Sequence, residues 1–174
     1  VIMVVSALSA LYGAYFAAIA LLGLLRGAKR PQRAEPKYKI AALIAARNEE
    51  NVIAHAVGSI LRQAYPRELG GVFVAVNNCT DNTEGAAREA GAEIIRCEGP
   101  IASKGDALRF AFSQLLSTDY DAYVILDADN LAHPGFFAAV NDALASGVRV
   151  AQGYRDSKNP ADGWVAAGTS IFYW

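Results

Sequence analysis

Two aspartates, Asp127 and Asp129, stand one residue apart at the end of a run of apolar and β-branched side chains, Ala122-Tyr123-Val124-Ile125-Leu126. Such a run reads as a buried strand. On an extended chain residues i and i+2 point to the same side, so the two carboxylates crowd together where the strand ends. Like charges that close are costly unless a cation or a hydrogen-bond donor stands between them. A divalent ion carrying a phosphate is the natural occupant, because Mg²⁺ takes one or two carboxylates and completes its shell with phosphate oxygens. The competing reading is structural: Asp and Asn in residues 127–130 also suit a turn or the cap of the next helix. On these residues alone both readings stand.

The elements that would have to hold this pair alternate. An apolar run at residues 40–45 predicts a first strand. Val52, Ile53, Ala56, Val57, Ile60 and Leu61 then recur at helical spacing, predicting an amphipathic helix over 49–63 that Pro66 ends. A second strand is expected at 71–76, followed by the polar cluster 77–83 and a helix from about residue 82 to 90 with Gly91 just past its end. A third strand follows at 92–96. Ser103 is a candidate cap for a helix whose apolar face is Ala107, Leu108, Ala111, Phe112, Leu115 and Leu116. After the strand that ends at Asp127, Pro134 marks a helix carrying Phe136, Phe137, Val140 and Leu144, and a fifth strand is expected at 147–153. Alternating strands and helices imply an α/β fold, a mostly parallel sheet covered on both faces. Ligands of such sheets bind at the carboxyl ends of the strands. Three polar clusters occupy those ends: Arg47-Asn48-Glu49, residues 77–83 and residues 127–130.

Composition narrows the partners. The formal net charge is −1, and no excess of Lys and Arg points to nucleic acid. Cys79 and Cys97 form neither a CxxC nor a zinc spacing, so reduced thiols in a cytosolic setting are expected. His55 and His133 lack a Cys or His partner at metal-ligand spacing. Residues 1–25 contain no charge and are mostly apolar. A helix of that length rises on the order of 35 Å, enough to cross a bilayer's hydrocarbon core. The charges follow it, at Arg26, Lys29, Arg30 and Arg33, which places that flank and the globular part in the cytoplasm at the cell membrane. The expected organisation is a transmembrane helix at 1–26, a Gly- and Pro-containing linker at 27–37 and a globular domain at 38–174. The start at Val1 and the aromatic finish at Trp174 suggest an N-terminal fragment of a longer chain.

Four segments, Ile44-Ala45-Ala46-Arg47-Asn48-Glu49-Glu50, Asn78-Cys79-Thr80-Asp81-Asn82-Thr83, Ser103-Lys104-Gly105-Asp106-Ala107-Leu108 and Asp127-Ala128-Asp129, come in the order seen in family 2 glycosyltransferases. The chain from about residue 38 onward resembles the front part of such a domain. That resemblance implies a GT-A fold, an inverting transfer from a nucleotide-diphosphate sugar, most simply a UDP-sugar, and Mg²⁺ or Mn²⁺ as cofactor. It implies a donor-nucleotide site at Ala45, Asn48, Glu49, Asn77, Lys104, Asp127 and Ala128, with the metal at Asp129 and Asp127. Asn77 stands where relatives commonly place Asp, which weakens a preference for uracil without removing it. The family's general base lies well downstream of the DxD pair and is expected beyond Trp174; the acceptor is left open. Asp106 fits the first turn of a helix better than a ligand role, and Arg47 suits either a phosphate or solvent.

Two other classes compete with this reading. A phosphotransferase using the first Asp of a DxD motif as nucleophile would place that motif on its first strand, not late in the chain. A membrane-anchored nucleotide-binding adaptor without catalysis is the remaining alternative. A dinucleotide-binding protein is disfavoured, because the loop after the first strand has no glycine.

Overall fold

The computed structural model describes residues 2–26, 32–157 and 163. Two compact units divide the chain, Val1–Gln32 and Arg33–Trp174. The first contains α1, Ile2–Arg26, in which the stretch Met3–Leu25 is long and apolar enough to cross a membrane. Its described side chains are exposed all round. No polar stripe is present that would suit a helix lying on a water-soluble core.

The second unit is built on a four-stranded parallel sheet. Its strands are β1 (Ile40–Ala46), β2 (Gly70–Val76), β3 (Glu93–Arg96) and β4 (Ala122–Asp127), in the order β3-β2-β1-β4. β1 lies between two neighbours, and its Ile-Ala-Ala-Leu-Ile-Ala-Ala sequence is accordingly apolar throughout, as a strand covered on both faces requires. Its side chains alternate between two cores. Ile40, Ala42, Ile44 and Ala46 share one with Ile53, Val57 and Ile60 of α2 (Ile53–Leu61), Ala87 of α3 (Thr83–Glu89) and Phe137 of α5 (Phe136–Ala145). Ala41 and Leu43 share the other with Phe73, Ala111 and Leu115, the last two from α4 (Lys104–Leu115).

Helix ends follow from their sequence. At the end of α3, Gly91 takes φ +99° while its N–H donates to the Arg88 carbonyl and the Ala92 N–H to the Ala87 carbonyl. This pair of bonds satisfies two orphan carbonyls, and a left-handed C′ residue is what glycine supplies without strain. Gly147 closes α5 in the same way, at φ +83°.

Four expectations need correction. The fifth strand at 147–153 does not form: the Val148 N–H is spent on the Ala143 carbonyl closing α5, and Val150 is 92% exposed with no ladder partner among the described residues. The strand ending at Asp127 is not buried; β4 is at the edge of the described sheet, and Ile125 is 50% exposed. α2 begins at Ile53 rather than at residue 49, because the Glu49 carbonyl accepts from both Val52 and Ile53 in a tight turn. Pro134 lies two residues before α5 instead of starting it, and its carbonyl accepts from Ala64.

Part of the stretch expected as linker is tied down. Asn141, on α5 and only 1% exposed, accepts through Oδ1 from the backbone N–H groups of Lys37 and Tyr38 and from the Tyr65 hydroxyl. Its Nδ2 donates to the carbonyls of Ala34 and Glu35. Asp142 takes the Ala34 N–H at 2.8 Å. These bonds fix the entry of the chain into β1.

Candidate functional site

The parallel register sets Asp127 directly beside Ala45, both at the carboxyl ends of their strands. A cleft of about 410 Å³ opens there. Its floor is Ala45 and Ala46 from β1 with Ala128, and its walls carry Arg47, Glu49 and Asn77 on one side and Asp127 and Asp129 on the other. The α4 start closes a third side with Ala102, Ser103 and Lys104, and Arg155 arrives from the segment after α5. The residues expected from sequence thus meet in one place, with the exception of Asn48.

Lys104 is the first residue of α4, and its position is set by a reciprocal cap. The Ser103 hydroxyl accepts from the Asp106 N–H, while the Asp106 carboxylate accepts from the Ser103 N–H. The two bonds satisfy orphan donors and fix where the helix begins. Asp106 is thereby a capping residue and takes no part in lining the cleft.

Asp127 is flanked by cations. Lys104 Nζ pairs with Oδ1, and Arg155 Nη2 lies 3.6 Å from Oδ2. The Lys104 hydrogen bond above all, with the charges of Lys104 and Arg155, holds the Asp127 carboxyl below the usual carboxylate range, against the opposing effect of burial. Asp127 is therefore an anion at neutral pH. The side chains in these two pairs are 40–50% exposed. Exposed pairs of this kind contribute about 0–1 kcal/mol, too little to explain them as props of the fold. Asp129 is exposed in the cleft and carries no hydrogen bond or ion pair among the described residues.

The loops after β1 and β2 are knotted to each other. Asn48 adopts φ +58°, a left-handed conformation that Asn tolerates, and its Oδ1 accepts from the Thr80 N–H at 2.8 Å. It neither caps α2, whose N-cap is Val52, nor lines the cleft. Its polar group is committed to the neighbouring loop. The fully buried Thr83 hydroxyl accepts from the Glu49 N–H at 2.8 Å and donates to Asp81. Asp81 also accepts from the Glu50 N–H, and Glu50 in turn from the Asn82 N–H. Much of the polarity of residues 77–83 is consumed in building this rim, while Glu49 and Asn77 are left lining the cleft.

The Thr83 hydroxyl, followed by backbone N–H groups of Glu50 and Thr83, lowers the pKa of Asp81, with burial acting in the opposite direction. A carboxylate whose pKa falls on folding adds stability at every pH above its unfolded value, near 3.9, and loses that contribution as pH drops through the folded value. Asp81→Asn is expected to shrink the loss of stability below about pH 4. Urea midpoints measured down to about pH 3 would show it, and an acid limb identical to the parent's would remove Asp81 from this account.

Arg155 could not be found from sequence pattern, because it follows no strand or motif and is brought to Asp127 only by the path of the chain after α5. Ala102 lies just before a motif and Ser103 opens it as a helix cap, and neither carries a sign of cleft contact in the sequence.

Comparison with known proteins identifies the lineage. The family model described as "Glycosyltransferase like family 2" matches residues 36–173. The chain belongs to this family.

This family 2 chain is 30% identical to Protein RfbJ of Shigella flexneri over 93 residues, covering 53% of the chain and 66% of RfbJ. Its fold is that of GT-A glycosyltransferases. The mannosyltransferase PcManGT from Pyrobaculum calidifontis, solved in complex with GDP-Man and Mn²⁺, superposes with a TM-score of 0.62 at 25% identity, over 78% of this chain and 42% of that one. Glucosyl-3-phosphoglycerate synthase of M. tuberculosis gives 0.51 at 28% identity, over 63% of this chain and 41% of the other. The family 2 chain therefore spans less than half the length of these two enzymes.

Proposed function

We propose that the cleft binds a nucleotide-diphosphate sugar together with a divalent cation, as the donor site of a membrane-anchored glycosyltransferase. The observation that carries this reading is the pairing at one strand end of Asp129, without a partner among the described residues, and Asp127, flanked by two cations. Among the described residues no group of three or more His, Cys, Asp or Glu could hold an ion unaided. An ion seated on Asp129 and Asp127 must draw further oxygens from elsewhere, and a diphosphate supplies them. The residues thus fit Mg²⁺ or Mn²⁺ as partner of a phosphorylated ligand. The likeness to a mannosyltransferase solved with GDP-Man and Mn²⁺ supports the same combination.

In this reading Asp129 and Asp127 hold the cation, which when bound offsets the charge that develops on the departing nucleoside diphosphate. Lys104, with the N–H groups at the start of α4, faces the diphosphate. Glu49 and Asn77 face the ribose and base. The Asn77 amide, which spends one N–H on the Ala46 carbonyl, can still offer a donor and an acceptor, so UDP is the first donor to test and GDP the second. Ala45 and Ala128 keep the floor shallow enough for the nucleotide to approach the strand ends. Transfer proceeds with inversion, the course implied by the family resemblance. The span Met3–Leu25 anchors the chain, and the basic residues after it keep the catalytic unit in the cytoplasm.

Thermal unfolding with UDP, GDP and ADP, each with and without Mn²⁺, tests the proposal. Stabilisation is expected to require nucleotide and metal together, by about 2–3 kcal/mol at ligand near 100 times its Kd. No shift with any nucleotide in the presence of Mn²⁺ would refute a donor site.

A further inference from the structure

Both oxygens of Asp127 face a positive group. Lys104 occupies Oδ1, and Arg155, from the segment after α5, stands 3.6 Å from Oδ2. All three side chains are between two-fifths and half exposed, so these contacts are weak and exchangeable. Asp129, two residues on, has no such cover among the described residues. A divalent cation drawn to Asp129 meets two positive side chains at Asp127, and they compete with it for the same carboxylate. A diphosphate reverses the balance, because guanidinium and ammonium groups pair with phosphate oxygens at least as well as with a carboxylate, and Arg does so through two parallel bonds.

We propose that Arg155 is a donor-binding and positioning residue that guards Asp127 until donor arrives, then passes to the diphosphate as the cation takes its place. Metal and donor therefore bind cooperatively, each raising the affinity of the other by the same factor. This inference rests on the donor-site reading and adds to it the residue that couples the two ligands. Arg155 suits the task because it sits in a segment outside the sheet and helices and its side chain is half exposed.

The test uses the full chain, its Arg155→Gln and Arg155→Lys variants, and Mn²⁺ titrations followed by the paramagnetic signal of the free ion. Each titration is made alone, with UDP and with inorganic pyrophosphate. Arg155→Gln is expected to bind Mn²⁺ alone about 2- to 5-fold more tightly than the parent, the equivalent of one exposed ion pair removed. The strengthening of Mn²⁺ binding by UDP or pyrophosphate, about 5-fold or more in the parent, is expected to fall toward unity in the same variant. Arg155→Lys restores the charge, and so returns the affinity for Mn²⁺ alone to the parental value. If Arg155→Gln binds Mn²⁺ alone no better than the parent, Arg155 merely orients Asp127 and the proposal is overturned. Coupling present in the parent and unchanged in Arg155→Gln overturns the role of Arg155 while leaving the donor site standing. Parental Mn²⁺ binding that neither UDP nor pyrophosphate strengthens overturns the donor reading itself, and the coupling with it.

Discussion

Asp129→Asn is expected to lower Mn²⁺-assisted nucleotide affinity by about 100-fold, or about 2.7 kcal/mol. The substitution keeps the shape of the side chain and removes one of the two charges available to the ion at this strand end. Because Asp129 has no hydrogen bond or ion pair among the described residues, its removal leaves no protein group stranded, and the fold is expected to be unaffected. Loss should therefore appear in the metal-dependent part of binding alone. Calorimetric titration of UDP with and without Mn²⁺ separates the two parts. Asp119→Asn is the matching control, since Asp119 is an exposed carboxylate paired with Lys39 outside the cleft. Full Mn²⁺ enhancement in Asp129→Asn would remove Asp129 from the metal site.

Asn141→Leu is expected to destabilise the second unit by about 3 kcal/mol or more. Leucine fills the space and suits the apolar neighbours, yet it leaves the Lys37 and Tyr38 N–H groups and the Ala34 and Glu35 carbonyls without their partner, while the Tyr65 hydroxyl keeps its bond to the Tyr38 carbonyl. Leaving a buried polar group unpaired costs about 1–3 kcal/mol, and here several lose their partner together, partly relieved by water because the segment is only part-buried. The expected signature is a lower urea midpoint with an unchanged slope. The exposed His55→Ala should stay within about 0.5 kcal/mol of the parent. Equal stability of Asn141→Leu would mean that the entry to β1 is held by apolar packing instead.

The architecture was legible wherever burial enforces a period. The β1 run reads as a strand because it is covered on both faces, and α2 reads as a helix because Ile53, Val57 and Ile60 must meet Ile44 and Val74. Gly91 announced its own left-handed turn, and Ser103 its cap. The cleft was legible for a related reason: strand ends fix where polar loops gather, so Asp127, Glu49, Asn77 and Lys104 could be placed together without a contact map.

What escaped depends on partners distant in sequence. Asn48 looked like a cap or a ligand because local pattern cannot reveal that Thr80 would claim its oxygen. Asn141 left one faint trace, a polar residue at helical spacing from Phe137 within an apolar stripe, and its backbone partners lie more than a hundred residues away. Residues 147–153 carry strand-forming valines, but a strand exists only with a neighbour to pair with, and the helix C-cap took the first N–H. Arg155 belongs to the same class: its charge was visible, its destination was not.

The central claim concerns an ion shared between the Asp127–Asp129 pair and a donor's diphosphate. Anomalous diffraction from crystals grown with Mn²⁺ and UDP measures that arrangement directly. The account predicts a manganese peak at coordination distance, about 2.1–2.2 Å, from an Asp129 carboxylate oxygen, with diphosphate oxygens completing its shell in the cleft that Lys104 and Asp127 line. A nucleotide bound in that cleft with manganese absent or held elsewhere, or both ligands bound away from the carboxyl ends of β1 and β4, would contradict it.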